Sequence, residues 1–331
     1  MLLHRNHRYL TEFVRPFRYR QILAEQQEIP TPPVINTDEA TLTLTPTTVG
    51  LEDSMSKEQE RRQRRLAAEC RHLNVSEPTN NDLTHLIVND DHKIIFNFIP
   101  KVSCKTWKKI WGTLHQRNNT GKLSLQYYNR EEQNDRLENY RKVLFVREPM
   151  SRLLSAYMSK FRGGVLYEHG PLQRIWERSF GRDIVKRYRG VEVIEDGKWL
   201  NITLTEFIQY ITDLGSGIRL TAFNDHWMPQ YKVSRPCHIK YDFIGHFENL
   251  EVEGPFVLRW LGVDHIVQFP EYKSPNAITH IVDYYKLISL DLMRKLTEYY
   301  REDYKLFGYS PDDVMSRVLR GVFAEDNAPI Q

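Results

Sequence analysis

Lys101, Ser103, Lys105 and Thr106 crowd into FIPKVSCKTW (98–107), between an apolar run that stops at Pro100 and a helix-like pattern that starts at Trp107. Amines and hydroxyls at a helix start suit an anion. The first-turn amides there have no intrahelical acceptor and carry partial positive charge. Pro100 cannot donate to a sheet ladder and so ends the strand. The segment has no glycine and no GxxxxGK[ST], so the topology is that of a phosphate loop without the ATP signature. A solvated lysine beside a capped helix would read the same in isolation. A second set lies in VLFVREPMSRLLSAY (143–157), where Arg147 closes another apolar run and Pro149 breaks the chain before a helix. Ser155 follows on that helix. A guanidinium forks onto a phosphate and a hydroxyl completes its shell. The alternative is a surface Arg147–Glu148 pair with an incidental serine. Two such sets at equivalent places point to one binding site.

These groups need a scaffold. HKIIFNFI (92–99) is nearly continuous in apolar and β-branched residues, as a strand covered on both faces should be. Trp107, Ile110, Trp111 and Leu114 follow at helical spacing. KVLFV (142–146) predicts a second buried strand, and Leu154, Tyr157, Met158 and Phe161 form the stripe of a helix starting near Ser151. Two strand–loop–helix units predict an α/β domain with a parallel sheet, whose ligands bind beyond the carboxyl ends of the strands. HIKYDFIG (238–245) predicts another strand. Residues 281–307 predict one long helix with Tyr285, Ile288, Leu292, Leu296 and Tyr299 on a face. Residues 162–200 read as an irregular insertion or substrate loop.

The chain has 331 residues, 40% hydrophobic and 27% charged, which suits a globular protein with a full core. A net charge of +3 is too small to argue for nucleic acid. Three cysteines, Cys70, Cys104 and Cys237, allow one disulfide, and without CxxC spacing they do not suggest zinc. No apolar run approaches the roughly 18 residues of a membrane span, and the start lacks a signal-peptide core. Sequons at Asn74, Asn118 and Asn201 hint at the secretory route, although Thr203 and Glu206 also form a capping box for the helix after Asn201. Residues 1–50 are basic and aromatic, then rich in Thr and Pro, and read as a disordered or stalk segment. Residues 51–72 predict a charged, exposed helix, on which Arg61, Arg62, Arg64 and Arg65 are a solvated face rather than a nucleic-acid patch. The expected division is a stem-like 1–84 and a globular 85–331.

Here the motifs become recognisable. IPKVSCKTWKK resembles the 5′-phosphosulfate loop, and VREPMSRLLSAYMSKF the 3′-phosphate loop, of Golgi carbohydrate sulfotransferases, the family of chondroitin/dermatan 4-O- and HNK-1 sulfotransferases. NDHWMPQ (224–230), RPCHIKYDFIGHFENLE (235–251) and YYREDYKLFGY (299–309) extend the resemblance over about residues 85 to 309. It implies a fold similar to P-loop kinases and 3′-phosphoadenosine 5′-phosphosulfate (PAPS) as donor, with no metal. Lys101 would neutralise the leaving group, with Val102, Ser103, Cys104, Lys105 and Thr106 around the 5′-phosphate and sulfate. Arg147 and Ser155 would grip the 3′-phosphate. Lys105 and Thr106 replace smaller polar residues usual there, and Glu148 stands where Asp or His is commoner.

A general base of near-neutral pKa suits histidine, and His226 in NDHW is the candidate. His238 and His246 read as structural. Asp242 and Glu248 are candidates to orient the base or acceptor. Cys237 is a candidate for a disulfide, with Cys70 the favoured partner. Lys108, Lys109, Arg152, Lys160 and Arg162 are expected to draw an anionic glycan, although a solvated helix face explains each one singly. The resemblance further implies the Golgi lumen and a type II membrane anchor. The 331 residues carry no such anchor, which suggests a shortened gene model, a fragment or a secreted form. Competing readings are a kinase-like phosphoryl transferase, which would need a Walker Lys–Ser/Thr pair and Mg²⁺ ligands, and a non-catalytic glycan- or nucleic-acid-binding module. The motifs specify neither acceptor hydroxyl nor oligomeric state.

Overall fold

The apolar runs around Ile95 and Leu144 become adjacent parallel strands in a computed structural model, which describes residues 46–115, 123–162, 171–190, 199–213, 224–271 and 277–326. Helix α1 (Pro46–Cys70) leads to a 3₁₀ turn (Asn80–His85), then β1 (Leu86–Asn89), β2 (Ile94–Asn97) and α2 (Cys104–Leu114). Next come α3 (Arg130–Asn139), β3 (Arg141–Val146) and α4 (Pro149–Tyr157), which runs into a π-helical turn at Met158–Arg162. Helices α5 (Pro171–Trp176) and α6 (Arg182–Tyr188) flank a second π turn, Glu177–Gly181, and α7 (Leu204–Thr212) follows. The remainder is α8 (Gln230–Ser234), β4 (Phe243–His246), α9 (Leu250–Leu261), α10 (Ala277–Tyr285), α11 (Leu290–Tyr299), α12 (Arg301–Phe307) and α13 (Pro311–Asp326).

The sheet order is β1-β2-β3-β4, with β1 antiparallel and the other pairs parallel. All three parallel strands therefore end at one edge of the sheet, and the loops carrying Lys101 and Arg147 are neighbours there. The sheet is buried on both faces, with Ile95, Val143 and Leu144 fully enclosed. Phe96, Trp107, Trp111 and Phe145 interlock as one aromatic cluster between β2, β3 and α2. Gly245 opposes Phe145 across β3–β4, and a Cβ there would lie 2.2 Å from that ring, so only glycine allows this approach.

Three expectations change. The short antiparallel β1 was not foreseen. Residues 171–188 are helical rather than irregular; 163–170 and 191–198 lie outside the described residues, as do Asn118 and the stalk-like 1–45. The long 281–307 helix is three helices. Ser289 accepts a hydrogen bond from the Leu292 amide and starts α11 afresh. The apolar face crosses these breaks because Tyr285, Leu292 and Leu296 enter the same core.

The charged helix α1 is also not a wholly solvated rod. Arg61 and Arg64 face solvent, but Arg62 is buried against β4. Its guanidinium donates to the Ile244 carbonyl at 2.7 Å and to both oxygens of Glu253 at 2.7 and 3.0 Å. Gln59 donates to the Ile244 carbonyl and accepts from its amide. These side chains satisfy the open edge of β4 as another strand would. Cys70 forms a disulfide with Cys237, closing a separation of 167 residues, and Cys104 stays a free thiol. Among the described residues, no helix is long and apolar enough to cross a membrane.

Candidate active site

The loop from β2 to α2 makes its turn without glycine. Lys101 and Ser103 take positive φ values, 72° and 51°, which non-glycine residues rarely adopt. Such strain persists only where the surroundings impose it. The chief clamp is Arg152, a fully buried residue of α4. It donates to the carbonyls of Pro100 at 3.0 Å, Met228 at 2.8 Å and Asp225 at 2.5 Å. Arg152 thus ties the lysine loop to NDHW and is not the surface attractor for a glycan expected from its charge.

Arg147 projects from the end of β3. It donates to the Lys101 carbonyl at 3.1 Å, and its guanidinium lies 4.2 Å from the centre of the Phe247 ring. Gln230 brackets its peptide groups, accepting from the Arg147 amide at 2.9 Å and donating to its carbonyl at 2.7 Å. Asp303 in turn accepts from the amides of Gln230 and Tyr231. Burial pushes the Asp303 carboxyl up to about 6, against the pull of those amides. The blocks around 147, 230 and 303 therefore interlock as a frame behind the site. Glu148 is buried too, not paired on the surface with Arg147. It caps α4 by accepting from the amides of Met150 and Ser151, and Tyr304 donates to it. Its pKa is raised by burial.

Lys101 donates to Ser159 at 2.9 Å. Ser159 sits in the π turn that continues α4, four residues beyond the half-buried Ser155. Burial lowers the Lys101 amine to about 8, and the Lys160, Arg147 and Lys105 charges add to the shift, with Cys104 opposing it. Lys160 is also held at about 8, first by burial, with Asp225 and Cys104 pulling it up. Its ammonium lies 4.0 Å over the Trp176 ring, whose edge meets His226 at a 5.0 Å centroid separation. His226 has its pKa lowered by burial and by the charges of Lys160 and Lys101, against the pull of Asp225. The structure thus brings Lys101, Cys104, Lys105, Arg147 and His226 into one electrostatic neighbourhood. Val102 is buried beneath the loop, while Ser103 and Thr106 sit half-buried at the start of α2.

Asp242 and Glu248 belong to the frame instead. Asp242 accepts from the Lys142 amide and pairs with its ammonium. Glu248 accepts from the Glu148 amide and from Tyr309. His246 stacks on Tyr309, and His238 lies 3.7 Å from Glu77. Lys108 covers the Phe98 ring. Arg162 is exposed and donates to Tyr284. Two clefts, of about 440 and 460 Å³, are lined by residues of α4 and α7 and of α1 and α9, and neither includes Lys101, Arg147 or His226. The cationic cluster lies outside both clefts. Among the described residues, no group of three or more His, Cys, Asp or Glu is arranged to hold a metal ion.

Sequence reasoning missed Ser159, Trp176 and the structural part of Arg152. Ser159 had a signal in its spacing of four from Ser155. Trp176 had none, because the stretch around it was read as a loop.

A mostly parallel sheet flanked by helices, with cationic loops at the carboxyl ends of adjacent strands, is a P-loop-like architecture. The chain belongs to the sulfotransferase family, which it matches over residues 84–310. It is 34% identical over 252 residues to carbohydrate sulfotransferase 11 of Rattus norvegicus, covering 70% of this chain and 69% of that one. It is 34% identical to carbohydrate sulfotransferase 14 of Danio rerio over 69% of this chain and 62% of that one. For carbohydrate sulfotransferase 12 of Xenopus laevis the identity is 31%, over 72% and 63%. No solved structure matches the chain.

Proposed function

We propose that the protein transfers a sulfuryl group from PAPS to a hydroxyl of an anionic glycan, with chondroitin or dermatan N-acetylgalactosamine as the favoured acceptor. The observation that carries this reading is a half-buried lysine whose charged neighbours are led by Lys160 and include Arg147 and Lys105, with Cys104 of opposite sign. Buried charge ordinarily calls for a counter-charge, so the cluster fits a ligand that brings several negative charges. The backbone points the same way: amides of Ser103 to Thr106 lie at the start of α2, where helix geometry leaves them free for an anion.

When bound, PAPS supplies the sulfuryl group and a phosphate leaving group. Lys101 neutralises the charge that develops on the oxygen between sulfur and the 5′-phosphate. Arg147 and Ser155 hold the 3′-phosphate, with Val102, Ser103, Cys104, Lys105 and Thr106 around the other end. His226 takes the proton of the acceptor hydroxyl as its oxygen bonds to sulfur. The old sulfur–oxygen bond breaks and its electron pair leaves with the phosphate. General-base help of this kind contributes about 10²–10⁴-fold.

A luminal location fits two features. The Cys70–Cys237 disulfide suits an oxidising compartment, and the sequon residues Asn74 and Asn201 are exposed. The Golgi lumen is the compartment we assign. The test supplies radiolabelled PAPS with desulfated chondroitin, dermatan and other glycans, then locates the label. Label on N-acetylgalactosamine supports the reading. Label on another sugar overturns the acceptor, and label on no glycan overturns the carbohydrate assignment.

A further inference from the structure

The proposed base sits beside a carboxylate that the reading above leaves without a part. The His226 Nδ1 lies 2.8 Å from Oδ1 of Asp225 and 2.8 Å from Oδ1 of Asn224. Both oxygens only accept, so the ring must carry a proton on Nδ1. The Asn224 oxygen also accepts from the His226 amide at 3.0 Å, which fixes backbone and ring together. Asp225 is itself held through its backbone. Its carbonyl accepts from Arg152, and its second carboxylate oxygen lies 3.6 Å from His85 Nε2. The His85 Nδ1 faces the Phe98 carbonyl at 3.0 Å, so His85 donates there, and its neutral form presents a lone pair to Asp225. His226 is thus the ring that gives Asp225 its hydrogen bond.

We infer that Asp225, with Asn224, is the positioning group that fixes His226 in the Nδ1–H tautomer and leaves Nε2 to receive the acceptor proton. This rests on His226 being the base. When Nε2 takes the proton, the ring becomes a cation with Nδ1–H still directed at Asp225, and the carboxylate stabilises that charge without itself accepting the proton. Burial pushes the Asp225 carboxyl up, but the hydrogen bond from His226 leads the interactions that hold it at about 2, and the Arg152 charge adds to them. It therefore stays ionised through the working range. The other charge acting on both members of the pair is the Lys160 ammonium, which favours ionised Asp225 and disfavours protonated His226.

The test compares Asp225→Asn, Asp225→Glu and His226→Gln in the full chain, reading kcat, KM for PAPS, the pH–rate profile and the melting temperature. Asp225→Asn should lower kcat by about 10²-fold or more, with little change in KM for PAPS and in melting temperature. Its acidic limb should move to lower pH, because the carboxylate that raises the His226 pKa is gone. Asp225→Glu should recover part of kcat and return the limb toward its original place. If His226→Gln abolishes transfer while Asp225→Asn leaves kcat and the limb unmoved, the positioning inference is wrong and the base assignment stands. If His226→Gln retains full activity, the base assignment itself is wrong. A variant that loses activity only in step with its melting temperature assigns Asp225 to the frame and also overturns the inference.

Discussion

Arg62, buried along the β4 edge, and Lys101, half-buried beyond the end of β2, are both drawn out of water, and the protein treats them in opposite ways. Around Arg62 the charges are matched. Glu253 takes its guanidinium fork, Glu58 accepts from Nε at 2.8 Å, and the Ile244 carbonyl takes a further N–H. Burial opposes its charge, but those carboxylates outweigh burial and raise its pKa. Around Lys101 burial is joined by the Lys160, Arg147 and Lys105 cations, with only Cys104 named on the other side, and the pKa falls to about 8. The same burial physics thus gives a sealed joint in one place and an open demand for negative charge in the other. Matched charge marks architecture here, and unmatched charge fits the proposed site.

That contrast can be broken by exchanging the readouts. Lys101→Ala should cost about 10³-fold in kcat, since it removes the charge aimed at the leaving oxygen, while the melting temperature stays the same or rises. Turnover near wild type would show that the unmatched lysine has no part in transfer. Arg62→Met should do the reverse. It leaves Glu253 buried without its partner and should cost about 3 kcal/mol in urea unfolding, near the low end for a broken buried pair. The low end is expected because Glu253 keeps hydrogen bonds from the His246 amide and Asn249. The affinity of the folded fraction for 3′,5′-bisphosphorylated adenosine (PAP) should not change. A loss of affinity without a loss of stability would join α1 to the site and end the comparison.

A finer test uses pH. Lys101 and Lys160 both titrate at about 8 in the free protein. A bound polyanion favours their charged forms, so binding takes up protons and affinity must fall as pH rises through that value. Calorimetric titration with PAP should show a loss of about tenfold per lysine from roughly pH 7 to pH 9. An affinity that stays level across this range would mean that neither amine meets the ligand.

The sequence made some of this legible and concealed the rest, for physical reasons. Strands β2 and β3 announced themselves because a strand covered on both faces must be apolar throughout. β1 is no shorter than β2, but its apolar run is only LIV, against the longer IIFNFI around β2. The break at Ser289 was hidden because helices on either side bury the same stripe. At the site, Lys101, Arg147, Ser155 and His226 were visible by residue type and by their place after strands or in quoted motifs. Their supports were not. Arg62 meets Glu253 across 191 residues and Arg147 meets Gln230 across 83. No local pattern separates a buried arginine that clamps a loop, as Arg152 does, from an exposed one that would draw a glycan.

The most direct test of the unmatched-charge account is the melting temperature of the full chain with PAP or ATP, each with and without Mg²⁺. The account predicts a concentration-dependent rise with PAP that needs no metal, a small response to ATP, and loss of the PAP response in Lys101→Ala and Arg147→Ala. A larger rise with ATP that depends on Mg²⁺, or a PAP response that survives both substitutions, would contradict it.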